Sequence, residues 1–268
     1  MDIRSPLALV GTAIVATVFA ATPGTGAAAT GARQSGSVTW TATAPGAATG
    51  SAFHVEFTNP ENPGQKPHTV NRIVVHYPAG TVFDSNAAPQ CHASDAQLQV
   101  QGDSACPADS KVGSGLAVSD TGSSGPFPPR YTESTISQFN GDHELIGVGT
   151  NKDIPAIKTV THTKFNGTTA STDFPTFPGK GPPDNYTPLK SLKVDFPRRV
   201  QNGHATVRTP PTCPKSGYWT ITTDFTYVDG VTQTLESHSP CHAKSLPKPH
   251  RHKRHRNHRH NRDWHRVD

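Results

Sequence analysis

YWTITTDFTYVDG, residues 218–230, has the alternating pattern of a β-strand that ends in a turn. Trp219 and Ile221 fall on one face of such a strand together with the later aromatic residues, while threonine and aspartate side chains occupy the other face. The Asp-Gly pair at 229–230 is a strong turn signal, and residues 231–237 then return as a second strand. This stretch therefore predicts a β-hairpin with one buried face and one solvated face.

The same alternation recurs along most of the chain. Asn-Gly pairs at 140–141 and 166–167 predict two further hairpins, because tight turns need residues that accept a positive φ. Hydrophobic residues make up only 32% of the chain, while 23 glycines and 25 prolines suit short strands joined by turns, and no segment predicts a helix. We expect further strands near 37–43, 53–57, 70–78, 111–119, 131–139, 143–149, 157–165, 168–172 and 189–196.

The predicted fold class is all-β. Strands at this spacing favour an immunoglobulin-like β-sandwich over residues 38–243, built as one large sandwich or as two small ones. The connection 173–189 is rich in proline and irregular, and it marks a possible division between two such halves.

The chain has four cysteines, at positions 91, 106, 213 and 241. An even number in an exported protein favours two disulfides, and three pairings are formally possible. We favour Cys91–Cys106 and Cys213–Cys241, because each pair closes a local loop and the second one ties the ends of the 218–237 hairpin. Each bond would contribute on the order of 3 kcal/mol in the chain-entropy model. The alternative is a zinc site, against which the absence of any C-x-x-C spacing argues.

The N-terminus has the pattern of a signal peptide, which we place at residues 1–29. An uncharged apolar run at 7–21 follows Arg4, and alanines at 27–29 offer a cleavage site. The alternative is an uncleaved membrane anchor, for which this run is short, since a span needs about 20 residues. A flexible leader at residues 30–37 would follow, and the mature protein is expected to be secreted or held at the cell surface.

Basic charge is concentrated in the last 25 residues. Residues 244–268 contain nine Lys or Arg and two Asp, a net charge of +7, whereas residues 1–243 carry 16 basic and 18 acidic residues, a net charge of −2. The many like charges and the absence of apolar periodicity predict a disordered tail that is rich in His and Arg. A general nucleic-acid-binding surface on the rest of the chain is therefore not expected.

Several short motifs follow one another between residues 70 and 241. They are YPAGTVFD at 77–84, PQC at 89–91, CPADSKVGSG at 106–115, FNG at 139–141, PPTCPKSGYWTITTDFTYVDG at 210–230 and SPC at 239–241. Their order resembles a family of uncharacterised secreted actinobacterial β-proteins, in which C-P-x-x-S-x-V-G-x-G is followed by C-P-x-x-G-x-W. The resemblance implies export and a disulfide-bonded β fold. It transfers no activity and no catalytic residue to this chain.

No motif in the sequence predicts a catalytic site or a cofactor. The Gly-Ser-Gly at 113–115 lacks the spacing of a nucleophile elbow, and neither a P-loop nor an H-E-x-x-H motif is present. His54 and Glu56 would share one face of a strand, where polar residues are normally solvated. A hydrolase of envelope glycans is an alternative, with carboxylates such as Glu56, Asp84 or Asp142 about 5–10 Å apart.

The tail offers two binding chemistries besides a purely solubilising role. Imidazoles bind Zn, Cu and Ni, whereas clustered guanidinium and ammonium groups bind phosphates and carboxylates with a strong dependence on salt. The candidate metal ligands are His250, His252, His255, His258 and His260. The candidate polyanion-binding residues are Arg251, Lys253, Arg254, Arg256, Arg259, Arg262 and Arg266. The first hypothesis is therefore a non-enzymatic exported β-sandwich protein whose tail attaches to anionic wall polymers or lipid headgroups, and the second is an extracellular metal-binding protein.

Overall fold

The computed structural model describes residues 31–242. The predicted signal peptide and the tail residues 244–268 lie outside this range. Within it the chain forms fifteen β-strands, one short α-helix and three 3-10 turns. The elements in chain order are β1 (Gln34–Trp40), β2 (Ser51–Phe57), β3 (Val70–His76), β4 (Val82–Phe83), α1 (Asp95–Gln101), β5 (Lys111–Asp120), β6 (Tyr131–Asn140), β7 (Glu144–Asn151), β8 (Lys158–Asn166), β9 (Thr169–Asp173), β10 (Leu189–Phe196), β11 (Val200–Gln201), β12 (His204–Ala205), β13 (Val207–Arg208), β14 (Tyr218–Tyr227) and β15 (Thr232–Pro240).

Eleven of these strands form a single antiparallel sheet, in the order β1-β2-β10-β5-β6-β7-β8-β9-β3-β14-β15. The four shortest strands pair separately, β11 with β12 and β13 with β4. Strand β10, which follows the connection 173–189, lies between β2 and β5, which precede it. The described sheet is therefore continuous across that connection. The all-β class is confirmed, whereas the immunoglobulin-like sandwich stays a prediction.

The sheet curls until its first strand lies beside its last. The backbone N–H of Val38 donates to Ser237 Oγ, and the backbone N–H of Trp40 donates to Ser239 Oγ, each at 3.0 Å. Residue numbers rise together on the two strands, so β1 and β15 run parallel here. Both serines are buried. Serine hydroxyls thus satisfy N–H groups of β1 that would otherwise form an open sheet edge.

Alternation along the strands places one set of side chains inside this curled sheet. Trp40 packs edge-on against Trp219, with ring centroids 5.2 Å apart, and Phe57 packs in the same way against Phe225 at 5.8 Å. Ile221 is also fully buried in this group. The face of β14 that the sequence predicts to be buried is therefore the interior face.

Both favoured disulfides are confirmed, Cys91–Cys106 and Cys213–Cys241. Disulfides are typical of proteins that fold in an oxidising, extracytoplasmic compartment. The expectation of no helix is wrong at α1, which lies between Cys91 and Cys106. Ser94 and Gln97 form a capping box at its start, a signal that the sequence contains as S-x-x-Q.

Helix α1 covers the outer face of the sheet. Leu98 of α1 is fully buried in a second apolar cluster with Phe139 of β6 and Ile146 and Val148 of β7. These three strand residues point away from the interior, since their neighbours Gln138 and Gly147 line it. The disulfide-closed loop therefore turns an otherwise solvated sheet face into a small separate core.

Two local predictions need correction. The flexible leader is wrong for residues 34–37, because β1 begins at Gln34, and Arg33 and Gln34 are buried. At the first Asn-Gly pair the hairpin forms, but its positive φ belongs to His143, so the loop is longer than a two-residue turn. At the second pair the hairpin also forms, but only Gly167 has a positive φ, and Asn166 pairs with Thr169, so the turn residues are Gly167 and Thr168 instead of the predicted Asn-Gly pair. Among the described residues, no helix has the length and apolar character needed to cross a membrane.

Candidate ligand-binding site

The curled sheet does not pack completely, and a cavity of about 260 Å³ remains in its interior. Strands β2, β3 and β5–β10 contribute to its walls, while the packed aromatic core lies on the side of β14 and β15. Protein interiors contain few voids larger than a water molecule, so a space of this size is unusual for a purely structural core. A dry cavity of about 150 Å³ holds benzene, and by that scale this one holds roughly ten non-hydrogen atoms.

One wall of the cavity is apolar. It is formed by inward-facing side chains of β2, β3, β5 and β10, with loop residues that follow β9 closing one end. Alternation explains it, since most inward-facing residues of β2, β3 and β10 are aliphatic or aromatic, while β5 contributes Ala117. The apolar lining includes Phe53, Ile73, Val75, Ala117, Leu192, Val194, Phe174 and Phe177.

The wall formed by β6, β7 and β8 carries most of the uncharged polar side chains of the lining. Gln138, Gly147 and Thr161 stand side by side on β6, β7 and β8, and the neighbouring row is Ile136, Gly149 and Thr159. All six residues line the cavity. A Cβ on Gly147 would lie 2.4 Å from Thr161 Oγ1 and 3.0 Å from Gln138 Nε2. Because Gly147 has no side chain, the side chains of Gln138 and Thr161 can both occupy the space above β7.

Two polar atoms of cavity-lining residues are buried without a hydrogen-bond partner among the described residues. They are the indole Nε1 of Trp40 and the amide Oε1 of Gln138. Trp40 is 95% buried, with a relative exposure of 5%. An unpaired buried donor or acceptor costs about 1–3 kcal/mol. Both atoms have almost no accessible surface, so they lie in the packing around the cavity and not on its surface.

Ionisable groups line the cavity only at its rim. Asp84, His143 and Glu144 are the acidic and basic residues among its described lining, apart from the phenol of Tyr77. All three lie at the same end of the cavity. Asp84 precedes Ser85, whose backbone O accepts a hydrogen bond from the side-chain amide of Asn140, and His143 and Glu144 follow Asn140 across the β6–β7 turn. The interior proper is therefore free of charged side chains within the described residues.

Histidines from neighbouring elements engage both rim carboxylates. Asp84 Oδ2 lies 2.7 Å from His204 Nδ1, and Glu144 Oε2 lies 3.1 Å from His162 Nδ1. The hydrogen bond to His204 lowers the pKa of the Asp84 carboxyl, and a bond from the backbone of Asn86 acts in the same direction. Asp84 is thus ionised at neutral pH and is poorly suited to act as a general acid.

The carboxylates predicted for a glycan hydrolase do not gather in the cavity. Of the three, only Asp84 lines it. Glu56 lies on the outer face of β2, where Lys193 binds it at 3.0 Å, and Asp142 is exposed in the β6–β7 turn. His54, on the same face as Glu56, binds Asp195 at 2.9 Å. The candidate metal and polyanion residues of the tail, from His250 to Arg266, lie outside the described residues.

One outer-face cluster combines a serine, a lysine and an aspartate. Lys111 Nζ donates to Ser137 Oγ at 2.8 Å and to Asp103 Oδ2 at 3.0 Å, while Ser137 Oγ donates to the same carboxylate at 2.6 Å. The hydroxyl proton is directed at the carboxylate, and the lysine is paired as a cation. This arrangement holds the 3-10 turn after α1 on the sheet. Within residues 31–242, no group of three or more His, Cys, Asp or Glu side chains is arranged to hold a metal ion.

The residues of the polar wall were not predicted from the sequence. Strand β8, KTVTHTKFN, carries polar side chains on both faces, although it lies in the middle of the sheet. A central strand without an apolar face is the signal that could have indicated a polar interior. It is weak, because an exposed edge strand gives the same pattern.

No family model, curated protein or solved structure matches this chain. The geometry of the described residues is therefore the basis for a functional proposal.

Proposed function

We propose that this protein is an exported, non-enzymatic binding protein that holds a small, mainly apolar molecule inside its curled sheet. The observation that carries the proposal is the cavity of about 260 Å³, with an apolar wall facing a polar one. Ligand sites in proteins are typically concave and mostly apolar, with a few polar groups that fix orientation. Export is supported by the predicted signal peptide and by the two disulfides.

A titration with naphthalene tests this function, because the molecule has about ten non-hydrogen atoms and matches the volume of the cavity. Binding to the full chain is measured by calorimetry and by the change in tryptophan fluorescence, to which Trp40 in the cavity lining contributes. Ala117 is buried on the interior face of β5, so Ala117→Phe places a ring in the cavity. We expect it to weaken binding by at least about tenfold.

The adjacent residue provides a matched control. Leu116 points to the outer face of β5 and is partly exposed, so Leu116→Phe adds a ring of similar size outside the cavity. Naphthalene should bind this variant as it binds the unmodified chain. Equal loss of binding in both variants, or no binding to the unmodified chain, would contradict the proposed function. Thermal unfolding of both variants checks that each is folded.

We also propose that the C-terminal tail attaches the protein to anionic polymers of the cell envelope or to anionic lipid headgroups. The supporting observation is the separation of charge, +7 over residues 244–268 against −2 over residues 1–243. Removal of residues 244–268 should move the protein from the cell-wall fraction to the medium. Unchanged fractionation at low and at moderate salt would remove this proposal.

A further inference from the structure

We propose that the cavity selects a neutral molecule that combines an apolar ring system or chain with a hydroxyl group, and that Gln138 and Thr161 recognise this hydroxyl. The inference rests on the proposed binding function and specifies the chemistry of its ligand. It follows from the charge of the lining and from the asymmetry of the cavity walls.

The charge of the lining argues for a neutral ligand. Neither lysine nor arginine is among the described residues that line the cavity, so an anionic ligand would meet no cation inside. A cationic ligand could reach only the rim, where Asp84 and Glu144 already bind His204 and His162. Moving an unpaired charge into such an interior is strongly unfavourable.

The polar part of the lining argues for a hydroxyl group. Gln138 and Thr161 line the cavity from the two strands that flank Gly147. A carboxamide both donates and accepts hydrogen bonds, and so does a threonine hydroxyl. A ligand hydroxyl group also does both and can pair with either side chain, whereas a pure hydrocarbon would offer them no partner.

The asymmetry of the walls gives the ligand its orientation. The apolar wall of β2, β3 and β10 contacts the hydrocarbon part, while the row of Gln138 and Thr161 faces the hydroxyl. We therefore expect a ranking among three probes of one ring system, 2-naphthol above naphthalene and naphthalene above 2-naphthoate. One added neutral hydrogen bond to Gln138 or Thr161 corresponds to about a tenfold gain in affinity.

Two conservative variants test the recognition directly. Gln138→Leu and Thr161→Val keep the side-chain size and remove the polar atoms that face the cavity. Each should lower the preference for 2-naphthol over naphthalene by about three- to tenfold, with naphthalene binding unchanged or slightly stronger. Gln99→Leu on the exposed face of α1 and Thr135→Val on the outer face of β6 are the matched controls, and both should keep the preference.

The outcomes separate the ligand chemistry from the binding function. Equal binding of 2-naphthol and naphthalene, or 2-naphthoate binding as tightly as 2-naphthol, would overturn the inference and leave the cavity function standing. If none of the three probes binds the full chain, the binding function fails and the inference fails with it. A variant that does not fold leaves the test intact, because the ranking on the unmodified chain already decides between these outcomes.

Discussion

Gly147 is the residue on which the polar wall depends. It stands between Gln138 and Thr161 in a row that crosses β6, β7 and β8, and its missing side chain leaves room for both neighbours. Glycine in a strand normally weakens the sheet, because it adds backbone entropy and packs nothing. Here the close approach of two polar side chains gives the glycine a specific role in shaping the cavity.

Gly147→Ala should lower the free energy of unfolding by about 1–3 kcal/mol, because the new methyl group would clash with the side chains on both neighbouring strands. The new Cβ would lie 2.4 Å from Thr161 Oγ1, and the β-branched threonine has little rotamer freedom to yield. Gly149→Ala is the control in the same strand, because its Cβ would first meet Ile136 Cδ1 at 3.3 Å, the end of a flexible side chain. Urea unfolding measures both. Equal destabilisation by both substitutions would show that the space beside Gly147 is no more restricted than the space beside Gly149.

At the scale of elements, the closure between β1 and β15 depends on side chains rather than on a backbone ladder. Ser237 and Ser239 accept the N–H groups of Val38 and Trp40, and all four residues are buried. This closure needs only two hydroxyl groups at the correct register of β15. It is also sensitive, because each lost hydroxyl leaves a buried N–H without an acceptor.

Ser239→Ala should therefore destabilise the fold by about 1–3 kcal/mol, although it removes a single oxygen atom. Ser239 is fully buried, so water cannot replace the hydroxyl without opening the closure. Ser114→Ala, on the exposed outer face of β5, is the control and should be near neutral. Amide hydrogen exchange of Trp40 reports the closure directly. Unchanged protection in Ser239→Ala would mean that another group satisfies this N–H.

A histidine holds α1 on the outer face of the sheet. His162 Nε2 lies 2.9 Å from Asp95 Oδ1 at the start of α1, and its Nδ1 lies 3.1 Å from Glu144 Oε2. Burial disfavours the charged imidazole, but the hydrogen bond to Asp95 and the charge of Glu144 outweigh it and raise the pKa of His162. Both ring nitrogens donate only when the ring is protonated.

The stabilising effect of His162 should therefore depend on pH. Because the pKa is higher in the folded than in the unfolded chain, the contribution is complete below the unfolded value of about 6.5 and is lost as pH rises through the raised folded value. His162→Gln should lower the free energy of unfolding most at about pH 5.5 and little at about pH 9. Urea unfolding at these two pH values measures the difference. His92→Gln, at an exposed histidine of the loop that contains α1, is the control. A loss that is equal at both limits would contradict this protonation effect.

Strand positions and disulfide pairing could be predicted from the sequence, because both rest on local patterns. The alternation at 218–230 and the cysteine spacing each involve residues that are close along the chain. The closure of the sheet could not be predicted, since it joins Val38 to Ser237 across almost the whole described chain. The cavity was missed for the same reason. Gln138 and Thr161 appear as ordinary solvated strand residues until the curl of the sheet turns their face inward.

At the scale of the whole molecule, charge and apolar surface are divided between two parts of the chain. The described interior is neutral, and its acidic and basic groups lie mainly on the outer face or at the rim, where histidine or lysine residues pair several carboxylates. The basic residues of the tail account for all of the positive net charge, since residues 1–243 carry −2. If the two proposed functions are correct, ligand binding and envelope attachment can therefore be altered independently, and removal of the tail is the simplest test.

The full chain should bind long-chain polyphosphate, and the logarithm of the binding constant should fall linearly with the logarithm of salt concentration, because cations of the tail replace counterions of the polymer. A chain that ends at residue 243 should lose this binding and keep its melting temperature and its affinity for naphthalene.

Lowering the pH through about 6.5 should strengthen polyphosphate binding by the full chain, as the imidazoles of the tail gain charge. A variant with the tail histidines His250, His252, His255, His258, His260 and His265 changed to glutamine should keep the salt dependence and lose the pH dependence. Polymer binding that persists in the shortened chain would place the anion-binding surface on the folded part and contradict attachment through the tail.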